Sequence, residues 1–351
     1  MTAWKSHGSQ FLVRENGVPK GTLVTNAQLV ARYVPDLLPS VLPLVIHEQP
    51  QRVLLLGLRA GEPLAATTAF PVQRVLCLEA DRGVLGLCRV LMGGSADVQR
   101  PLTPDPSPRR GEGRNSGSPT PFDDDRVEAR VREPVVAVRT LHEKFDVVIS
   151  SPDQPSLPQA AVWFTDESLR AAASCLENEG VFAIRFQHID LGPRSVRVLA
   201  KTLSAIFREV AAVEIGSGEL LFLGTNSERG FAREGFVERL QRPHVRHVLA
   251  SMGWDWSTPL RLGLQDADAI GHLTNHKDAE VNVCSRSTWP FRLPLDVMRW
   301  QNKRQQTREL LAQHERFLMT WGGDKAESVE VATRLSEWDL SRQIVSRHAD
   351  E

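Results

Sequence analysis

Four short stretches of this chain carry residues able to do chemistry, and each follows an apolar run. The first is GLRAGE, residues 57–62, where Gly57 and Gly61 close the run Val53 to Leu56. Glycine at such a turn lets backbone approach a ligand closely, and an ordinary turn between a strand and a helix has the same appearance. The second is Glu79, which ends the run from Val75 and stands about 20 residues beyond Gly57. A carboxylate there can accept hydrogen bonds from both hydroxyls of a ribose; the competing account is a solvent-facing strand end. The third is Glu133, after the run Val127 to Val131, which could accept from an adenine amino group or be paired off by Arg132. The fourth is SSPDQPSLP, residues 150–158, whose one carboxylate, Asp153, could act as a general base towards an amine or simply form a turn.

What would bring these stretches together is the order of elements around them. From residue 53 to 224, short apolar runs alternate with helical patterns. Strands are expected at 53–56, 75–78, 127–131, 145–149 and 180–186, and helices at 64–70, 83–92, 135–141, 168–176 and 195–207. Uninterrupted apolar strands between helices predict a doubly wound, mostly parallel α/β sheet covered on both faces. Ligands of such sheets bind beyond the carboxyl ends of the strands, where all four stretches fall. Two last strands, 210–215 and 220–223, are joined by the tight turn GSGE, so they are expected to pair antiparallel.

Three units follow. Residues 1–50 read as a small N-terminal β unit, with strands in QFLVRE and TLVT, and a helix over 27–46 that Pro35, Pro39 and Pro43 make irregular. Residues 51–228 form the nucleoside-binding domain. Within it, 99–123 is a Pro-, Gly-, Ser- and Arg-rich insertion without apolar periodicity, expected to be a flexible loop. Residues 229–351 read as a mainly helical region, with apolar helical spacing around Phe236 to Met252, around Leu310 to Trp321, and at Val331, Leu335 and Trp338.

Composition narrows the function. A formal net charge of -1 favours neither a nucleic acid nor an anionic membrane as partner. The longest apolar stretch, residues 34–46, is too short for a span and holds three prolines. The opening MTAWKSHGSQ has no apolar signal-peptide core, and Cys77, Cys88, Cys175 and Cys284 form no CxxC pair, so a cytoplasmic protein with reduced thiols is expected. No metal-ligand spacing occurs; His244 and His247 lack a third ligand. No G-x-S-x-G elbow is present.

The order of motifs resembles the spermidine synthase (polyamine aminopropyltransferase) family from about Ser6 to Asn226. RVLLLGLRAGE stands where that family has its glycine-rich loop, VQRVLCLEAD where it has a strand ending in Glu-x-Asp, and DDRVEARVRE before its adenine-binding acid. FDVVISSPDQP stands where it carries the catalytic Asp, and WFTDESLRAAASCLENEGVFAIR where it has the next helix and strand. The resemblance implies a Rossmann-like fold of the class I methyltransferase type. It implies decarboxylated S-adenosylmethionine as co-substrate and transfer of its aminopropyl group to a small-molecule amine. By position, Gly57, Gly61, Glu79 and Glu133 would hold the nucleoside, Asp153 would be nearest to the catalytic Asp, and Gln10 would help bind the substrates; transfer to an amine needs a second carboxylate near it, for which Asp166 is the candidate, and no metal is expected. A homodimer is compatible with this reading.

The chain departs from the family pattern at Leu58, Arg59 and Ala60, where the loop has further glycines and an Asp, and at Ser151, where the catalytic loop begins with an Asp. The family's tyrosines around the amine are missing, since Tyr33 is the one tyrosine of the chain. Two other functions are therefore kept: a small-molecule methyltransferase using S-adenosylmethionine itself, which needs orientation more than acid–base groups, and a non-catalytic binding or scaffold protein.

Overall fold

In the computed structural model, the described residues are 2–5, 9–15, 17–25, 31–92, 120–155, 157–287 and 289–325. Most of the 99–123 insertion, and the helix expected around Val331, Leu335 and Trp338, lie outside them.

Twelve strands are present among the described residues: β1 (Thr2–Lys5), β2 (Gln10–Glu15), β3 (Val18–Val24), β4 (Arg52–Leu56), β5 (Arg74–Glu79), β6 (Val127–Val131), β7 (Phe145–Ser150), β8 (Leu176–Gln187), β9 (Glu209–Gly216), β10 (Glu219–Thr225), β11 (Gly263–Gln265) and β12 (Arg316–Phe317). The first three form an antiparallel sheet in sequence order, and the other nine form one large sheet in the order β12-β11-β9-β10-β8-β7-β4-β5-β6. From β8 to β6 the neighbours run parallel; β10 pairs antiparallel with β9, as the GSGE turn leads one to expect, and antiparallel with β8 as well. The doubly wound, mostly parallel α/β architecture expected from the alternation of runs is the observed one.

The apolar runs explain the two covered faces. Successive strand residues point to opposite sides, so Val53, Leu55, Val75, Cys77, Val147 and Ile149 enter one core, and Leu54, Leu56, Leu76, Leu78 and Val148 enter the other. The first core is closed by α1 (Val34–Ile46), α2 (Glu62–Thr68) and α3 (Arg82–Met92). The short α4 (Pro134–Ala137) and α5 (Pro158–Ala161) follow strand ends, and α6 (Asp166–Ala173) and α7 (Pro193–Ser204) cover the second core.

Of the helix expected over 27–46, residues 27–30 lie outside the described ones, residues 31–33 are not helical, and α1 begins at Val34. Pro35 sits in its first turn, where no N–H partner is needed, and every residue from Val34 to Ile46 is buried. Pro39 and Pro43 lie four apart, so their missing N–H groups fall on one side of the helix.

The C-terminal residues are mainly helical among those described: α8 (Phe236–Leu240), α9 (Pro243–Ser251), α10 (Ala267–Thr274), α11 (Trp289–Val297) and α12 (Trp300–Ala312). They also extend the large sheet, because β11 pairs antiparallel with β9 and β12 with β11.

The N-terminal sheet is tied to the glycine turn after β4. Val13 and Leu23 pack on Ala60 and Leu91. The Val24 N–H donates to Glu62 Oε1 at 2.8 Å and the Thr22 N–H to Asp36 Oδ2 at 3.1 Å.

Candidate active site

The carboxyl ends of β4, β5, β6 and β7 open onto one cavity of about 500 Å³, lined among others by Gly57, Glu79, Glu133 and Asp153. That volume suits a nucleoside-sized ligand.

Gly57 and Gly61 both adopt positive φ, +89° and +98°. A Cβ on Gly57 would stand 3.0 Å from the Ser151 carbonyl oxygen, so the β4 and β7 loops touch here because no side chain intervenes. Gly61 caps α2 in the left-handed conformation. Between them Arg59, φ +54°, is the non-glycine residue with positive φ among those described.

Glu79 closes β5 and is buried. Its Oε2 accepts the Leu58 N–H at 2.8 Å and its Oε1 the Asp81 N–H at 2.9 Å, so this one side chain organises the turns after β4 and β5. An ionised carboxylate has about four acceptor positions. Each oxygen therefore keeps one further acceptor position. Burial pushes this carboxyl above the ordinary carboxylate range, and the two backbone donors pull against it. Glu133 precedes α4 and lines the same cavity, exposed.

Asp153 lies in the loop after β7, partly buried, with Oδ2 2.6 Å from Lys20 Nζ. Lys20 comes from β3, and its ammonium also lies 2.5 Å from Glu15 Oε2. Burial opposes the charge on Lys20, but Asp153 and Glu15 outweigh it and raise the amine above its ordinary value.

A second charged group lines the cavity. The Arg59 guanidinium is buried, its Nη1 donating to the Pro152 carbonyl at 3.3 Å and its Nε 3.6 Å from Asp36 Oδ1. Asp36 is shared: the same Oδ1 accepts from Arg185 Nη1 at 2.7 Å, and Arg185 also pairs with Glu219 at 2.6 Å. Burial and the nearby Arg185 lower the affinity of Arg59 for its proton.

Two residues singled out in the sequence lie away from this cavity. Gln10 opens β2, opposite Val24. Asp166 is in the first turn of α6 and pairs with Arg170, one helical turn on, at 2.7 Å. Conversely, Glu15, Lys20, Arg59 and Trp163 line the cavity without having been chosen as site residues. Lys20 and Asp153 are 133 residues apart, and only the attachment of the N-terminal sheet brings them together. Among the described residues no group of three or more His, Cys, Asp or Glu could hold a metal ion, and no helix is long and apolar enough to cross a membrane.

Comparison with known proteins gives this geometry a context. Residues 40–215 match the family model described as the spermine/spermidine synthase domain. A polyamine aminopropyltransferase of Sodalis glossinidius is 27% identical over 197 residues, 55% of this chain and 61% of that protein. One from Erwinia tasmaniensis is 27% identical over 141 residues, 40% of this chain and 41% of that protein. The matches thus span less than two thirds of these relatives' length. Among solved structures, a probable spermidine synthase from Corynebacterium glutamicum superposes with a TM-score of 0.52 at 16% identity, covering 82% of this chain and 93% of that one, which shows the shared fold.

Proposed function

The chain belongs to the spermine/spermidine synthase family, and on that premise we propose that it transfers an aminopropyl group from decarboxylated S-adenosylmethionine to a small amine. One observation carries the reading: Glu79, Glu133 and Asp153, from three different strand ends, line a single cavity. Glu79 would take the ribose hydroxyls on its two remaining acceptor positions, and Glu133 the adenine amino group. The sulfonium and its aminopropyl chain would then lie towards Asp153.

In the reaction the acceptor nitrogen forms a bond to the carbon next to sulfur. The carbon–sulfur bond breaks, its electron pair stays on sulfur, and methylthioadenosine leaves as a neutral thioether. The acceptor nitrogen gives a proton to the Asp153 carboxylate, which fits general-base catalysis by a positioned side chain. Lys20, ion-paired to Asp153, fixes its orientation. Holding both reactants in one cavity supplies the remaining advantage.

Calorimetric titration with decarboxylated S-adenosylmethionine, S-adenosylmethionine and methylthioadenosine tests the proposal. The decarboxylated donor should bind more tightly than S-adenosylmethionine, and Glu79→Ala should abolish that binding. Tighter binding of S-adenosylmethionine would favour a methyltransferase, and binding of none of the three would leave a scaffold protein.

A further inference from the structure

The acceptor end of the cavity is unusual in its charge. Asp153 and the neighbouring Glu15 are already bridged by one ammonium, that of Lys20, which lies 2.5 Å from Glu15 and 2.6 Å from Asp153. A diamine needs one carboxylate near its reacting nitrogen and another to receive its distal ammonium. Here the second position is taken by the protein's own cation.

Beside it, Arg59 lines the same cavity and is incompletely satisfied. It is 6% exposed, and its Nε has no hydrogen-bond partner. Its counter-ion Asp36 is engaged more closely by Arg185, at 2.7 Å against 3.6 Å. A buried guanidinium that shares its counter-ion with a second guanidinium is costly unless something further pairs with it, and its planar fork matches a carboxylate.

We infer that the acceptor is an amine that also bears a carboxylate, with the amine at Asp153 and the carboxylate at Arg59. The inference rests on the aminopropyl-transfer reading and specifies its substrate class. A second ammonium in place of the carboxylate would meet Lys20 and Arg59 and be repelled.

The test is calorimetry on the full chain with two acceptors of equal chain length, 4-aminobutanoate and 1,4-diaminobutane, with and without saturating methylthioadenosine. 4-Aminobutanoate should bind at least about tenfold more tightly, because juxtaposed like charges cost several kcal/mol. In Arg59→Met that preference should disappear. Tighter binding of the diamine, equal binding, binding of neither, or a preference that survives Arg59→Met would each overturn the inference. The wild-type preference is read without any variant, so a failure of Arg59→Met to fold leaves the test intact. Tighter binding of S-adenosylmethionine than of its decarboxylated form, dependent on Arg59, would overturn it too, by assigning the carboxylate to the donor. Failure of methylthioadenosine to bind would count against aminopropyl transfer itself, and the titrations without it report acceptor preference separately.

Discussion

Lys20 and Asp153 meet across 133 residues of sequence, their charged atoms 2.6 Å apart. The contact ties the N-terminal sheet to the loop after β7, so the piece of chain that precedes the large sheet helps to shape its cavity. If Asp153 is the base, Asp153→Asn should slow turnover by about 10²–10⁴-fold, the usual worth of a positioned base. Methylthioadenosine affinity, measured by calorimetry, should stay within about twofold, since the variant spares Glu79. Lys20→Met should slow turnover less, because it removes the partner of the base and leaves the base in place.

Gly57→Ala should destabilise the fold and weaken nucleoside binding together. The residue sits at φ +89°, and a new Cβ would press on the Ser151 carbonyl at 3.0 Å. A strained position of this kind costs about 1–3 kcal/mol. Urea unfolding and methylthioadenosine titration should both register the change.

Asp36 is the common counter-ion of two buried guanidiniums, Arg59 and Arg185. Breaking a buried pair by removing one partner leaves an uncompensated charge and costs about 3–5 kcal/mol. Asp36→Ala should show a loss of that size in urea unfolding, whereas Arg52→Ala, whose pair with Glu177 is exposed, should lose at most about 1 kcal/mol.

Glu62 provides a pH test. It is fully buried, receives the Val24 N–H and pairs with Arg32 at 2.9 Å, and burial pushes its carboxyl up to about 7. A carboxyl whose folded value lies above its unfolded one binds its proton more tightly when folded. Its contribution is therefore fully present below about pH 4.5, and is lost as pH rises through about 7. The loss is on the order of 3 kcal/mol. Relative to Glu62→Gln, the wild type should lose stability between pH 5 and pH 8; a difference that does not change with pH would count against this burial.

The sequence showed the sheet more readily than the site. Short continuous apolar runs such as Val53 to Leu56, closed by glycine and alternating with helical patterns, read as strands covered on both faces, and the GSGE turn pointed to an antiparallel pair. The strands β11 and β12 escaped notice because three and two residues are too short for any periodicity, and their pairing with β9 and with each other is purely tertiary. Of the cavity lining, Gly57, Glu79, Glu133 and Asp153 were legible because each ends or closely follows a recognisable strand. Lys20 and Glu15 were not, because β2 and β3 bring them in from outside the strand-end pattern, and Arg59, although it stands in the turn after β4, shows its role only through its burial beside Asp36. Gln10 follows from the family pattern and Asp166 from the need for a second carboxylate, and neither lines the cavity.

The most direct measurement is single-turnover mass spectrometry with decarboxylated S-adenosylmethionine and a panel of small amines and amino acids, comparing wild type with Asp153→Asn. Aminopropyl transfer through this cavity predicts methylthioadenosine and an aminopropylated acceptor in equal amounts from the wild type, and a rate about 10²-fold or more lower from the variant. No aminopropylated product, or product formed equally fast by Asp153→Asn, would contradict the account.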